Sequence, residues 1–427
     1  MKQRWTAPAL VAAVGLTLAL SACGGNAKSG SGDAAEKNAL TVWLMNGSVP
    51  DKVVQSVNAD LAKQHPGATV TVEVQEWNGI QDKLTTALAG NNPPDVIEMG
   101  NTQNAKFSQS GALLDLDADK AKLGIDQWSK GMASSGVWDG KTYGAPLLAA
   151  NRVVIYRTDL FEKAGVTVPK TFDEWVAATT KLNQANAPTK DFQGIYLPGQ
   201  SWYVYAGLLW DAGGDLAVKD GDSWKGGLDT PAAAEAIGKY KQLQSLSKAP
   251  KDADEATPQQ FEVFAEGNVA QMIGLPWEMG SAVGANKKLD GKVAVFPIPS
   301  SSADKSGSVF LGGSNLGISA GSDSPKLAAD WLALMTGEKY QTELALASNV
   351  VPNRTALLSK LTDPTAKIMA GAAANGHVTP VDPRWAGVEA GANPVKDYMT
   401  AVLTGTDPAA AGAKASAEIT KRMSGAL

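Results

Sequence analysis

The chain has 427 residues, with 38 Lys and Arg against 43 Asp and Glu, for a formal net charge of −5. An acidic chain without a basic block is a poor partner for nucleic acid, and a single cysteine, Cys23, excludes a disulfide framework. The two histidines, His65 and His377, have no ligand-type neighbours in sequence, so no zinc motif can be written and no cofactor is called for.

The amino terminus opens with Lys2 and Arg4, runs through an uncharged apolar stretch at 9–20, and reaches Leu20-Ser21-Ala22-Cys23 followed by Gly24 and Gly25. A positive flank, a short apolar run and small residues at a cut site predict a signal peptide over 1–22. The run falls short of the ~18 residues a spanning helix needs. The tetrapeptide resembles the lipobox of bacterial lipoproteins, which implies that Cys23 takes a diacylglycerol and becomes the new first residue. Residues 24–38, GGNAKSGSGDAAEKN, cannot build a core and are expected to form a flexible tether behind the lipidated Cys23.

About 400 residues follow the leader, more than the ~250–300 at which one core usually divides, so two lobes are expected. The fold begins with an apolar strand at 40–45. Helical spacing at 50–64 puts Val53, Val54, Val57 and Leu61 on one face. The alternation TVTVEVQ predicts a strand at 69–75, an amphipathic helix follows at 79–89, and a third strand at 94–99. This βαβαβ order with short connections predicts an α/β sheet with right-handed crossovers. No GxGxxG follows the first strand, which argues against a dinucleotide site. Residues 172–246 read as mostly helical. Strands are predicted at 269–274, 293–296 and 316–319, a helix at 324–335, and largely Ala-rich helix over 355–427.

Catalytic motifs are missing. Gly312-Gly313-Ser314-Asn315-Leu316 fails the last position of a nucleophile elbow. Asp115, Asp117 and Asp119 start like a calcium loop, but Lys120 stands where Gly is needed and Asp126 where Glu is needed. The three early strands end instead in small polar and aromatic residues: Asn46-Gly47-Ser48, Glu76-Trp77-Asn78-Gly79 and Gly100-Asn101-Thr102-Gln103. Ligands of open α/β sheets sit outside the carboxyl ends of strands. Amides that both donate and accept suit hydroxyl-rich ligands, although Asn-Gly is also plain turn chemistry. In the second half, Trp202 and Tyr203, Trp277, and Trp385 stand beside Pro, Gly and charge, as expected of site-wall aromatics rather than core. Glu278 reads either as an acceptor for sugar hydroxyls or as half of a glycosidase pair whose partner cannot be named from sequence.

These motifs, in this order, resemble a family. The lipobox, tether, TVWLMNGS, PPDVIEMGNTQ, KTYGAPLLAANRVVIYRTDLFEKAG, FAEGNVAQMIG, FLGGSNLGIS and NVVPNR resemble the carbohydrate-binding lipoproteins of bacterial ATP-driven (ABC) importers, the group containing maltose-binding protein. QEWNGIQDKLTTAL, YLPGQSWY, LSKAPKDADEATPQQ and TPVDPRWAGVE look closest to actinobacterial N,N′-diacetylchitobiose-binding lipoproteins. The segment VYAGLLWDAGGD after Tyr203, and Leu147-Leu148-Ala149-Ala150 before Asn151, depart from that pattern. Cello-, xylo- and malto-oligosaccharides and N-acetylglucosamine therefore remain rival ligands, and a secreted glycoside-processing enzyme is the alternative of a different class.

The resemblance implies an α/β, two-lobed periplasmic-binding-protein-like fold of type II, with three interlobe crossings near 148–152, 311–315 and 350–353. Lobe one would comprise 39–150 plus 314–350, and lobe two 151–313 plus 351–427. It implies a non-enzymatic, monomeric receptor, lipid-anchored at the extracellular face of the cell membrane. This receptor would close around a small oligosaccharide and deliver it to transmembrane permease subunits. Ligand contacts are expected from Asn46, Ser48, Trp77, Asn101 and Asn315, from Asn151 and Arg152 at the first crossing, from the rings of Trp202, Tyr203, Trp277 and Trp385, and from Glu278 and Arg354. Arg354 reads equally as a brace between the lobes.

Overall fold

The computed structural model describes residues 37–348 and 350–425. The expected signal peptide, Cys23 and most of the tether lie outside them. Lys37 and Asn38, assigned to the tether from sequence, are held. The Lys37 ammonium pairs with Asp323, Ser324 Oγ donates to the Lys37 carbonyl, and the Thr69 amide donates to the Asn38 carbonyl.

The βαβαβ start forms as its pattern dictates. Strand Ala39–Met45 pairs in parallel with Thr69–Gln75 and with Val96–Gly100. Helix Asp51–Gln64 begins after Pro50 and buries Val53, Val54, Val57 and Leu61, the face predicted from its spacing. Helix Ile80–Leu88 buries Ile80 and Leu84. The main sheet has six strands. Five run in the order Gly376–His377, Val309–Ile318, Val96–Gly100, Ala39–Met45 and Thr69–Gln75, and Ala145–Asn151 also pairs with Val309–Ile318. A separate three-stranded antiparallel sheet has Val153–Arg157 at its centre, flanked by Gln271–Gly274 and Val293–Phe296.

Two expectations are corrected. The strand predicted at 316–319 is the end of a ten-residue strand, Val309–Ile318. Gly312 and Gly313 hid its first half, because glycines interrupt a strand pattern unless neighbouring backbone closes on them. The Ala-rich region is less continuous than expected. Its helical pieces Thr355–Lys360 (a 3₁₀ turn), Pro364–Ala373, Trp385–Glu389, Pro394–Leu403 and Pro408–Met423 are separated by turns. Prolines at the starts of three α-helices, with Asp363, Asn393 and Asp407 as caps, set those breaks.

The apolar residues gather in separate cores. One contains Leu40, Val42, Val57, Leu61, Val96, Leu147, Leu316, Trp331 and Leu344. Another contains Val154, Trp175, Leu209, Tyr240, Phe310, Trp385, Met399 and Ile419. Between them three chain segments lie side by side. Residues 148–151 run antiparallel to 311–314, and Ala149 bridges to Val351. Ala149, Leu311 and Val351, one from each segment, pack with Met132 in a cluster of their own.

Candidate functional site

The strand register shifts between Ser314 and Asn315 against Ala145–Asn151. Next to this irregularity, Gly313 has φ +148°, and a Cβ there would collide with the Leu148 carbonyl oxygen, so the position needs glycine. Two small clefts open around this junction. One is bordered by Asn101, Ser135, Gly312, Ser314 and Asn315. The other lies between Asn101, Thr102, Ala105 and Ser135 on one side and residues 378–381 on the other. Two expected residues are therefore at the junction. Asn101 takes its backbone N–H to Gly313 O at 3.1 Å and its side-chain amide to Leu311 O at 2.9 Å. Asn315 is buried and donates to Ser135 Oγ at 3.0 Å and Asn104 Oδ1 at 3.4 Å.

Across the junction the chain builds a charged aromatic group. Arg152 Nη2 donates to Glu255 Oε1 at 2.6 Å, and its guanidinium lies 4.8 Å from the Tyr203 ring centre. Tyr203 stacks on Phe310 at 4.3 Å and overlaps Trp202 at 3.9 Å. Burial raises the Tyr203 hydroxyl well above its ordinary range, so it stays a neutral donor and acceptor. Glu278 accepts from the Leu275 amide at 2.6 Å and from Gln260 Nε2 at 2.8 Å. Its carboxyl is pushed up to about 7 by burial, while Arg152 and Glu255 act on its charge in opposite senses. Part of its role is thus local, because its carboxyl takes up the free Leu275 amide at the start of helix Pro276–Ala285. Asn151 is fully buried, and its Oδ1 has no hydrogen-bond partner.

Trp385 sits differently from its expectation. Its ring is 0 % exposed and belongs to the large core, and Trp202 is 4 % exposed. Their Pro, Gly and charged neighbours in sequence did not show the apolar residues that cover them in space. Trp385 Nε1 donates to Glu389 Oε1 at 2.7 Å, and Thr102 Oγ1 donates to Glu389 Oε2 at 3.0 Å. This second bond joins the third-strand loop to the far side of the junction. Burial pushes the Glu389 carboxyl up to about 7.

Trp77 and Trp277 are the exposed rings, at 44 % and 51 %. Trp77 lies close to Gly100, and Trp277 meets Phe261 edge-on at 5.8 Å. Asn46 is exposed and donates to Glu76 Oε1 at 3.1 Å, while Ser48 interacts with the buried Glu98. Arg354 is placed elsewhere. It binds Gln127 Oε1 at 2.9 Å and the carbonyls of Leu123 and Thr336 at 3.3 Å, and burial lowers its pKa. Those partners make it a brace to the first core. Sequence reasoning missed Glu98, Glu255 and Glu389, and named Thr102 only as part of the third strand-end loop. Of the three missed, only Glu98 carried a signal, a lone carboxylate in the apolar strand VIEMG.

Among the described residues, no group of three or more His, Cys, Asp or Glu could hold a metal ion, and no helix is long and apolar enough to cross a membrane. Residues 46–342 match the bacterial extracellular solute-binding protein family. The chain is 44 % identical over 426 residues to the diacetylchitobiose-binding protein DasA of Streptomyces coelicolor, covering 97 % of this chain and 98 % of that one. It is 29 % identical to the maltodextrin-binding protein MdxE of Bacillus subtilis, covering 82 % and 81 % respectively. In structure it is similar to the GacH receptor of Streptomyces glaucescens, with TM-score 0.78, 24 % identity and coverage of 90 % of this chain and 98 % of that one, which is a likeness of fold. Its architecture is therefore the two-lobed one of these binding proteins, and its relatives bind solutes rather than transform them. The chain belongs to the bacterial extracellular solute-binding protein family.

Proposed function

We propose that this protein captures a small oligosaccharide, N,N′-diacetylchitobiose in the first instance, between its lobes and delivers it to the permease of an ABC importer. The observation that carries this reading is the 44 % identity, over nearly the full length of both chains, to a diacetylchitobiose-binding protein. The site supports it. Asn46, Ser48, Trp77 and Asn101 form a hydrogen-bonding rim on the first lobe. Arg152, Tyr203, Trp277 and Glu278 supply aromatic and charged groups on the second, with Asn151, Trp202 and Trp385 buried behind them and Asn315 at the junction. Arg354 serves as a brace. Closure turns on the side-by-side segments 148–152, 311–315 and 350–353, where backbone dihedrals absorb the movement. The distribution of the two main cores supports lobes of 39–150 plus 314–350 and 151–313 plus 351–427.

A thermal-shift panel of mono- and oligosaccharides tests the ligand. A sugar at about 100 times its Kd adds about 2.7 kcal/mol of stability. The reading holds if diacetylchitobiose shifts the melting temperature at the lowest concentration. A panel in which only malto-oligosaccharides act would favour instead the ligand class of the maltodextrin-binding relative. We further propose that Cys23 is lipidated and holds a monomer at the outer face of the cell membrane, on the strength of the Leu20-Ser21-Ala22-Cys23 motif. A Cys23→Ala chain that stays in the membrane fraction would refute the anchor.

A further inference from the structure

Asn315 stands on the crossing strand Val309–Ile318, and it borders the cleft that Asn101, Gly312 and Ser314 also line. Its neighbours fix which way round its buried amide lies. Helix Asn104–Gln109 buries both Asn104 and Ser108. Ser108 Oγ donates its one hydrogen to the Asn104 carbonyl at 2.9 Å, so toward the Asn104 side chain, 3.0 Å away, it can only accept. The Asn104 nitrogen therefore faces Ser108, and Asn104 Oδ1 is left facing Asn315 at 3.4 Å. On the other side, Ser135 Oγ spends its hydrogen on the Met132 carbonyl at 2.9 Å and offers Asn315 only lone pairs, at 3.0 Å. Two acceptors thus claim Asn315 Nδ2, one for each of its hydrogens. Gly144 makes room for this pair of amides, since a Cβ there would collide with Asn104 Oδ1.

What Asn315 has left is an oxygen. Among the described residues only the Ser135 hydroxyl comes within reach of Oδ1, at 3.5 Å, too long for a hydrogen already committed at 2.9 Å. A buried acceptor without a hydrogen is costly, and a donor entering the cleft relieves that cost. We propose that Ser135 and Asn104 are positioning residues of the ligand site: they hold both Asn315 N–H groups and leave Oδ1 as an acceptor that selects a hydroxyl or an acetamido N–H of the sugar. This rests on the reading that the cleft binds a sugar, and it adds which side of the hydrogen bond the protein supplies at the junction.

Calorimetric titration with N,N′-diacetylchitobiose tests it, beside analogues in which each hydroxyl is replaced in turn by fluorine and by hydrogen, and each acetamido N–H by an ester oxygen. Fluorine accepts weakly and cannot donate, and hydrogen does neither, so against a protein acceptor the two cost the same. At one hydroxyl, fluorine and hydrogen should both weaken binding about tenfold, or one ester analogue should do so. That penalty should shrink to less than about twofold in Asn315→Ala. It should shrink as well in Ser135→Ala, which releases one Asn315 N–H and frees the amide to turn. A merely structural role for Ser135 would instead weaken the parent sugar and every analogue by one common factor. A penalty kept in full in either variant, no penalty at all, or fluorine restoring affinity at every position where hydrogen loses it overturns the proposal. Should Asn315→Ala not fold, Ser135→Ala and the comparison of fluorine with hydrogen on the unmodified protein decide it. A parent that does not bind diacetylchitobiose defeats the ligand reading itself, a result read from the unmodified protein alone.

Discussion

Replacing Arg152 with methionine removes a guanidinium whose side chain is only 10 % exposed and leaves its partner Glu255, 21 % exposed, without a cation. The remaining carboxylate is poorly placed, since its Oε2 already lacks a hydrogen-bond partner. Breaking a buried pair from one side costs about 3–5 kcal/mol. The residual exposure of Glu255 argues for the lower end, about 3 kcal/mol, with part of that from the lost contact to Tyr203. At an unfolding entropy of about 2.1 cal/mol/K per residue, roughly 390 folded residues give about 0.8 kcal/mol/K, so the melting temperature should fall by about 4 °C. The sharper measurement is the cycle with Glu255→Gln in urea. Removing the second charge takes away the uncompensated carboxylate, so the double variant should recover at least about 1.5 kcal/mol relative to Arg152→Met. A single variant within about 1 kcal/mol of the parent, or a double variant no more stable than the single one, would refute this account of the pair.

Three further outcomes are expected. Glu278 titrates near 7 in the folded protein against an ordinary value of 4.5, so across that window the folded state holds a proton that the unfolded state has released. Stability from this group is therefore present below about pH 4.5 and is lost as pH rises through 7, on the order of 3 kcal/mol in all. Glu278→Gln should flatten the fall in urea midpoint between pH 5 and 8, and an unchanged slope would contradict the burial argument. Gly313→Ala forces a side chain onto φ +148° against the Leu148 carbonyl and should destabilise by more than about 1 kcal/mol. Gly371→Ala, in helix Pro364–Ala373 with open space around it, should stabilise by up to about 1 kcal/mol. Equal chemical-denaturation midpoints for the two variants would count against the strain at Gly313.

Local patterns were legible wherever one segment's own periodicity decides its structure. The strand and helix alternation from Ala39 to Gly100 follows from which residues must be buried, whereas near the carboxyl end an expected run of Ala-rich helix is broken at prolines and Asn or Asp caps. Residue order was also enough to place the chain in its family, because the motifs run in the same sequence from the rim loops to the hinge. Of the residues expected at the site, Asn101, Asn315, Arg152, Tyr203 and Trp202 lie at or beside the junction; their contact with a ligand belongs to the proposal above.

Only the tertiary structure decided which polar groups meet. Thr102 and Glu389 are 287 residues apart, and Ser314 and Glu98 are 216 apart, so no local pattern could pair them. The same holds for burial. Trp277 and Trp385 have similar sequence surroundings, yet one ring is 51 % exposed and the other 0 %, because what covers a ring is set by elements packed on it from elsewhere in the chain. Periodicity fixes what each segment must hide, and the meeting of segments fixes which carboxylate, hydroxyl or ring is left facing the cleft.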